Sequence, residues 1–424
     1  MCLLQTETIQ AQDISQQDTI KLDIVSAEKM FLEKNLQLLA QHYNIQSAEA
    51  LVIQARKWDN PTLGTGQNLY NKEEGYFKHG VTYDSAGNAN PVGEVSVDIE
   101  QLIKTAGKRR KQINIAKTNV SLAEWQFRSV MRTLRATLFS DFYTIAQEQD
   151  IAKLYNENIQ RLTKLIAGMK LQLENGNIAQ KEYLRVQALI ISSQQEFAEN
   201  IKALNDNESE LKTLLGIKGT TFIEPITPEF EAADVSNLIF LQILDSAKQH
   251  NTDYQLETYQ LQSQKQVYSL QKALAIPDVT VGVNFDQHAT YTPNYYGLNI
   301  GFPLPIWDRN QGNIKSARFQ VKQEEANMQQ ASNKLENDVM NAYQKLLLTA
   351  KLSSNTNIEF YKDYYKLYHN ISDAFENRQI SLLEFLDYFN DYEDTREKEL
   401  QQRLNLRMAK ENLNDIVGVD IIKE

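Results

Sequence analysis

Along this chain the spacing of apolar residues switches between two periods. Tyr155, Ile159, Leu162, Ile166, Met169 and Leu173 lie four and three residues apart in turn, and Tyr361, Tyr364, Tyr368, Ile371 and Phe375 keep the same register. A mean spacing of about 3.5 puts these side chains on one helical seam, the pattern of a coiled coil. Glu174 to Asn177 reads as a turn, after which Phe197, Ile201, Leu204, Leu211 and Leu215 form a returning stripe that Glu208 interrupts. Long helical hairpins are predicted over about 107–217 and about 310–418. Other segments have period two. Val95, Val97 and Ile99 alternate with Ser96, Asp98 and Glu100; Val279, Val281, Val283 and Phe285 alternate with Thr280, Gly282, Asn284 and Asp286. Tyr296, Leu298, Ile300, Phe302 and Leu304 do the same against Gly297, Asn299, Gly301 and Pro303. These are strands with one apolar and one polar face, expected at about 92–103, 277–289 and 294–305.

The two periods recur as a block. Glu174-Asn175-Gly176-Asn177-Ile178 returns as Glu376-Asn377-Arg378-Gln379-Ile380, and Leu215-Gly216-Ile217 returns as Val417-Gly418-Val419, both 202 residues later. Upstream, Asn60-Pro61-Thr62-Leu63 matches Ile276-Pro277-Asp278-Val279 at an offset of 216. The first copy therefore carries 14 more residues (216 − 202) between Pro61 and Leu102, placed in a loop. Two copies of one unit are implied, over 21–219 and 234–420, joined by a linker at 220–233 that holds Pro225 and Pro228. The repeat also supplies a fourth strand at about 61–72, whose own alternation is poor. No proline falls between Val92 and Glu224 or after Pro305, which leaves both stretches free to be helix.

Composition narrows the function. With 424 residues, 42% of them hydrophobic, the chain can build a core. A net charge of −11 argues against nucleic acid as a partner, since phosphate backbones need clustered Lys and Arg. No run approaches the roughly 18–20 apolar residues of a spanning helix, yet alternating strands of a β-barrel escape that test. Cys2 is the sole cysteine, which excludes internal disulfides and Cys-based zinc sites. His42, His79, His250, His288 and His369 form no pair at helical spacing, so no metal site is assigned. No nucleophile elbow, phosphate loop or zinc-helix motif occurs, so no catalytic residue and no cofactor are assigned, and the chain is not read as an enzyme.

Four strands in one chain leave two open edges, and single-chain barrels start at about eight strands. Two readings follow. The strands form a small sheet whose apolar face packs on the helices of a soluble coiled-coil scaffold or binding protein, or that face meets lipid and other copies close the edges. Three copies would give twelve strands. Trp58, Trp307 and Phe302 near the helical ends, and Tyr295 and Tyr296 toward the loops, suit membrane-interface belts.

The order helix, strand, strand, long helix, turn, helix, given twice, resembles the TolC-family outer-membrane efflux proteins from Lys21 to Val419. Pro303-Leu304-Pro305-Ile306-Trp307-Asp308-Arg309-Asn310-Gln311-Gly312 is similar to the strand-to-helix junction of the heavy-metal cation-efflux branch. Leu102 to Arg109 is its counterpart in the first copy. The resemblance implies a fold that is mostly α with a small β part: long coiled-coil hairpins forming an α-barrel, plus four strands per chain in a 12-stranded trimeric β-barrel. It further implies a homotrimer in outer-membrane lipid, with a large periplasmic portion, a periplasmic adaptor and an inner-membrane RND-type pump as partners. Passive conduction of metal cations is the expected function, with drug efflux or type I secretion as alternatives on the same fold.

Under that resemblance the turns Asn175-Gly176-Asn177 and Asn377-Arg378-Gln379 are adaptor-docking tips. Glu384 and Asp387, three residues apart on one helical face, match the position of an acidic aperture ring, and Glu182 and Arg185 are their counterparts in the first copy. Arg378 stands where a turn glycine is common. Residues 1–20 read as a disordered or lipid-anchored segment, in which Cys2 is either an acylation site or part of a signal-peptide remnant.

Overall fold

A computed structural model describes residues 19–67, 69–71, 75–76, 80–83, 85–92, 95–219, 221–231, 235, 237–288, 293–353 and 355–422. Strand β1 (Thr19–Asp23) leads into helices α1 (Ile24–Lys34) and α2 (Leu36–Ala55), followed by β2 (Thr62–Gln67). Short strands β3 (Tyr70–Asn71), β4 (Gly75–Tyr76), β5 (Gly80–Tyr83) and β6 (Ala89–Val92) precede β7 (Val95–Ile103). The 67-residue α3 (Lys108–Glu174) and α4 (Gln180–Leu215) complete the first copy. After β8 (Phe222–Ile226), the second copy consists of α5 (Phe240–His250), α6 (Thr252–Leu274), β9 (Val279–His288), β10 (Pro293–Gly301), α7 (Gln311–Leu352), α8 (Asn355–Glu376) and α9 (Leu382–Val417).

The chain divides into two compact units. One holds the described residues up to Gln41, Phe127–Gln255, and those from Ser332 on. Its helices pack as the 3.5 period demands: Tyr155, Leu162 and Met169 on α3 are buried, as are Leu204, Leu211 and Leu215 on α4 and Tyr368 on α8. Glu208, whose charge interrupts the apolar stripe of α4, is buried and has partners. It accepts the Ile223 backbone N–H of β8 at 2.8 Å and pairs with Lys212 at 3.1 Å. Strand β8 runs parallel to β1, Thr19 opposite Phe222, inside the segment that the sequence assigned to a linker. Arg135 on α3 ties this unit together through Glu28 on α1 (2.5 Å) and Glu411 on α9 (2.9 Å).

Two details carry the internal repeat down to single atoms. Asn35, between α1 and α2, accepts the Leu38 N–H and donates to the Leu214 carbonyl; Asn251, between α5 and α6, accepts the Tyr254 N–H and donates to the Ile416 carbonyl. Those pairs differ by 216 and 202, the two offsets of the sequence repeat. Gly216 and Gly418 both end their helices in the left-handed region, with φ of 64° and 86°. A Cβ on Gly216 would press on Lys34, and one on Gly418 would strike the carbonyl of His250, which stands 216 residues after Lys34. The two hairpins differ in one respect: α3 is continuous, whereas the corresponding stretch of the second copy breaks between α7 and α8.

The other unit holds His42–Gln126 and Leu256–Ala331. Its four-stranded antiparallel sheet has the order β10-β9-β7-β2. The 14 extra residues of the first copy fall where β3 pairs with β4 and β5 with β6, two small ladders rather than a plain loop. At the strand-to-helix junction, Asp278 accepts from Thr105 N–H (2.8 Å) and from the buried Lys108 ammonium (2.7 Å), which fixes the start of α3 against β9.

Candidate functional site

The sheet has two unlike faces. Register places Leu298 opposite Val283, Val283 opposite Ile99, and Ile99 opposite Leu63, so one apolar row crosses all four strands. These four side chains are 67%, 56%, 48% and 65% exposed, an arrangement that a sheet packed on its own helices would not leave open to water. The two rows that flank it, both on the opposite face, read Asn299, Gly282, Glu100 and Thr62 on one side and Gly297, Asn284, Asp98 and Gly64 on the other. Glycine is used here because neighbouring side chains fill its Cβ space: the Asp98 carboxylate lies over Gly64, and Glu100 Cγ is 2.9 Å from a Cβ built on Gly282. The polar face thereby presents Asp98, Glu100 and Asp286, which the strand alternation contains but which the sequence reading did not single out as a site.

Aromatic side chains stand at both ends of this sheet. Tyr295 and Tyr296 begin β10, and Tyr296 packs on Phe285 with centroids 5.1 Å apart. Phe302 follows the last residue of the same strand, about 23 Å along at roughly 3.3 Å per residue, close to the height of an outward apolar band. Trp58 and Trp307 lie beyond the strand ends on the side of Phe302; Trp307 is 87% exposed, and Arg109 sits over the Trp58 ring at 4.4 Å.

The hairpin tips belong to the other unit. At the first, Asn177 N–H bonds to the Gln172 carbonyl (2.8 Å) and Gly176 N–H to Leu173 (2.9 Å); at the second, Gln379 bonds to Ala374 (2.8 Å) and Arg378 to Phe375 (2.9 Å). Both are glycine-type helix ends requiring a left-handed residue, and Arg378 takes that conformation at φ 60° where Gly176 has 71°. Asn177, Glu182 and Arg378 line one groove of about 1030 Å³ together with Arg161, Lys164 and His369. Asn175, Asn377 and Gln379 are exposed beside it.

Glu384 and Asp387 do not enter that groove. They lie exposed on α9 on either side of the buried Phe385 and Leu386, and Ser381 caps the helix by accepting the Glu384 N–H at 3.2 Å. Glu384 thus also supplies the third-residue N–H that the Ser381 cap satisfies. Arg185 is exposed on α4, and among the described residues no ion pair joins it to Glu384 or Asp387. Cys2 lies outside the described residues. Among the described residues no helix is long and apolar enough to cross a membrane, and no group of His, Cys, Asp and Glu could hold a metal ion.

The chain is similar to known proteins along most of its length. The family model described as outer membrane efflux protein matches residues 29–217 and 243–419, one segment in each copy. The cobalt-zinc-cadmium resistance protein CzcC of Cupriavidus metallidurans is 22% identical over 302 residues, covering 70% of this chain and 66% of CzcC, just under two thirds of its length. The crystal structure of CusC superposes with a TM-score of 0.73 at 15% identity, covering 95% of this chain and 94% of that one. The Campylobacter jejuni outer membrane channel CmeC gives 0.73 at 11% identity over 93% and 85%. The fold is therefore the TolC-like one, mostly α with a small β part, and the family is one of channels rather than enzymes. On these grounds the chain belongs to the outer membrane efflux protein family, whose members sit in the Gram-negative outer membrane with large periplasmic parts.

Proposed function

We propose that three copies of this chain close a 12-stranded barrel and act as the passive exit duct of a tripartite efflux system. The observation that carries the reading is the apolar row Leu298, Val283, Ile99 and Leu63, exposed across a sheet whose edge strands β10 and β2, among the described residues, are each paired on one side only. A bilayer offers no hydrogen bonds to an open edge, so strands with a lipid-facing row must close on themselves. Four strands are too few for one chain and twelve suit three copies. Aromatic residues at both strand ends suit the two interfaces of such a barrel, which supports the reading.

Metal cations are the substrate class the chemistry favours. On closure the polar face lines the lumen, bringing Asp98, Glu100 and Asp286 from each copy around it, and a ring of carboxylates attracts cations and repels anions. Similarity to CzcC, a cobalt-zinc-cadmium resistance protein, points the same way. Glu384 and Asp387 at the tip of α9, with Glu182 and Arg185 opposite in the repeat, form the aperture, and the Asn175–Asn177 and Asn377–Gln379 turns meet a periplasmic adaptor that links the duct to an RND-type inner-membrane pump.

The test is the protein mass of the membrane-extracted complex by light scattering corrected for bound detergent, followed by ion permeability in planar bilayers. A mass of three chains and a preference for cations that falls in Glu384→Gln/Asp387→Asn are expected. A monomer that stays monodisperse without detergent would show instead a soluble coiled-coil scaffold.

A further inference from the structure

Halfway along the hairpins, the two copies are joined by a row of side-chain hydrogen bonds from α3 to α9. Gln147 donates to Gln401 at 3.0 Å, Tyr155 to Glu397 at 2.5 Å, and Asn158 to Glu393 at 3.3 Å. Tyr155 and Asn158 are both more than nine-tenths buried, so neither has water as an easy substitute partner. Glu393 and Glu397 are one helical turn apart on α9, and a third carboxylate, Glu196 on α4, faces both. On α9 the row runs from Gln401, beside residues Glu399 and Gln402 that line a small pocket with Ser353 at the end of α7, toward Glu393.

We propose that Glu393 and Glu397, held by Asn158 and Tyr155 and faced by Glu196, form a proton-sensitive latch between the first and second hairpins. A neutral Glu393 accepts the Asn158 amide and lets α9 pack on α3 and α4. Ionised, it places three carboxylates around one seam, and separating the hairpins to admit water relieves that repulsion.

The surroundings offer Glu393 little compensation. From α3 it meets Tyr155 and Asn158, from α4 Glu196, from α8 Tyr368, and on its own helix Glu397. Arg161 of α3 sits over the Tyr368 ring at 5.6 Å, and Arg396 of α9 turns to Tyr365 and Glu399. Desolvation, helped by Glu196 and Glu397, outweighs the Asn158 hydrogen bond, which favours the carboxylate, and pushes the Glu393 carboxyl up to about 7. Desolvation and Glu397 push Tyr155 up as well, so its hydroxyl remains a donor throughout.

The sign follows from linkage. With a closed value near 7 and an opened value near the ordinary 4.5, the closed state binds more protons across that window. The stabilisation of the closed state is complete below about 4.5, shrinks as pH rises, and is gone above about 7. Between pH 6 and pH 8 the opening equilibrium should rise roughly tenfold.

The latch does not rest on the channel reading, and its opening is read directly by exchange. Amide hydrogen exchange of the full-length protein in detergent is compared between wild type and Glu393→Gln at matched pH, which cancels intrinsic exchange rates. The wild-type rate in residues 389–401, divided by that of Glu393→Gln, should rise about tenfold from pH 6 to pH 8. Glu397→Gln removes one like charge and should move the rise to lower pH. A ratio that stays flat with pH, or a Glu397→Gln profile identical to wild type, would overturn the proposal. A rising ratio in a protein that conducts no ions would leave the latch standing and sink the channel instead.

Discussion

Arg378 and Gly418 occupy equivalent kinds of position with opposite solutions. A helix that ends in this way needs one left-handed residue, and glycine adopts that conformation without the penalty of about 1–2 kcal/mol that a Cβ brings. Arg378→Gly should therefore stabilise the protein by about 1 kcal/mol in thermal or denaturant unfolding, and should leave Asn377 and Gln379 in place. Gly418→Ala should be worse than Gly216→Ala, because its Cβ would lie well inside contact distance of the His250 carbonyl oxygen, whereas that of Gly216 would lie 3.3 Å from Lys34 Cβ and 3.5 Å from the Lys34 carbonyl oxygen. We expect about 1–2 kcal/mol for the Gly216 substitution and at least twice that for Gly418 in the same unfolding assay. The glycines and the departure at Arg378 were legible in the sequence, since the repeat aligns them. The Asn35 and Asn251 hinges obey the same offsets, but a single Asn between helices gives no signal until the repeat is extended upstream. Charge at position 208 misled for a physical reason: pattern reading treats a carboxylate as a break in an apolar stripe, whereas a buried Glu with two donors is part of the core.

At the scale of elements, the hairpins and the three alternating strands are written in their periods, and α3, α4, α9, β7, β9 and β10 lie in the segments that carry those periods, although β10 ends at Gly301, short of Phe302 and Leu304, which continue the alternation beside Pro303 and Pro305. The β1–β8 ladder was not legible. Its strands are five residues each, β8 carries Pro225, and the partners lie 203 residues apart, so no local pattern announces the pairing. Glu208 gives that ladder its anchor on α4. Glu208→Ala leaves the buried Ile223 N–H without its acceptor and Lys212 without its partner, and should cost about 1–3 kcal/mol, with earlier proteolysis around β8 than in α3. Glu208→Gln keeps an acceptor and should cost less. A second pH effect belongs to this scale. Burial, then Glu210 and Glu148, push the Asp141 carboxyl on α3 up to about 7, so the folded chain binds an extra proton between about pH 4 and pH 7. Stability from this group is full below about pH 4 and lost as pH rises to 7. Asp141→Asn should flatten the decline in melting temperature over that range, and an unchanged pH profile would show that Asp141 is ionised in the folded state.

The whole molecule depends on something a single chain cannot display, which is why the barrel was an inference at the sequence and is a proposal from the fold. Periodicity revealed which residues share a face, but not whether that face meets helices or lipid. The structure narrows the choice by leaving the row Leu298, Val283, Ile99 and Leu63 uncovered. Two adjacent residues of β7 then distinguish the readings. Ile99 points to the apolar face and Glu100 to the polar one, because side chains alternate along a strand. If the apolar face meets lipid, Ile99→Arg puts a charge in the bilayer at a cost of about 2–4 kcal/mol per copy near the midplane. Three copies multiply that penalty, and the yield of assembled trimer in outer-membrane fractions should collapse. Glu100→Arg points into the lumen, where water solvates it, so assembly should persist while cation preference weakens or reverses in bilayer recordings. Equal assembly of both variants would mean that the row does not face lipid, and the polar row would lose its role as the lining of a pore.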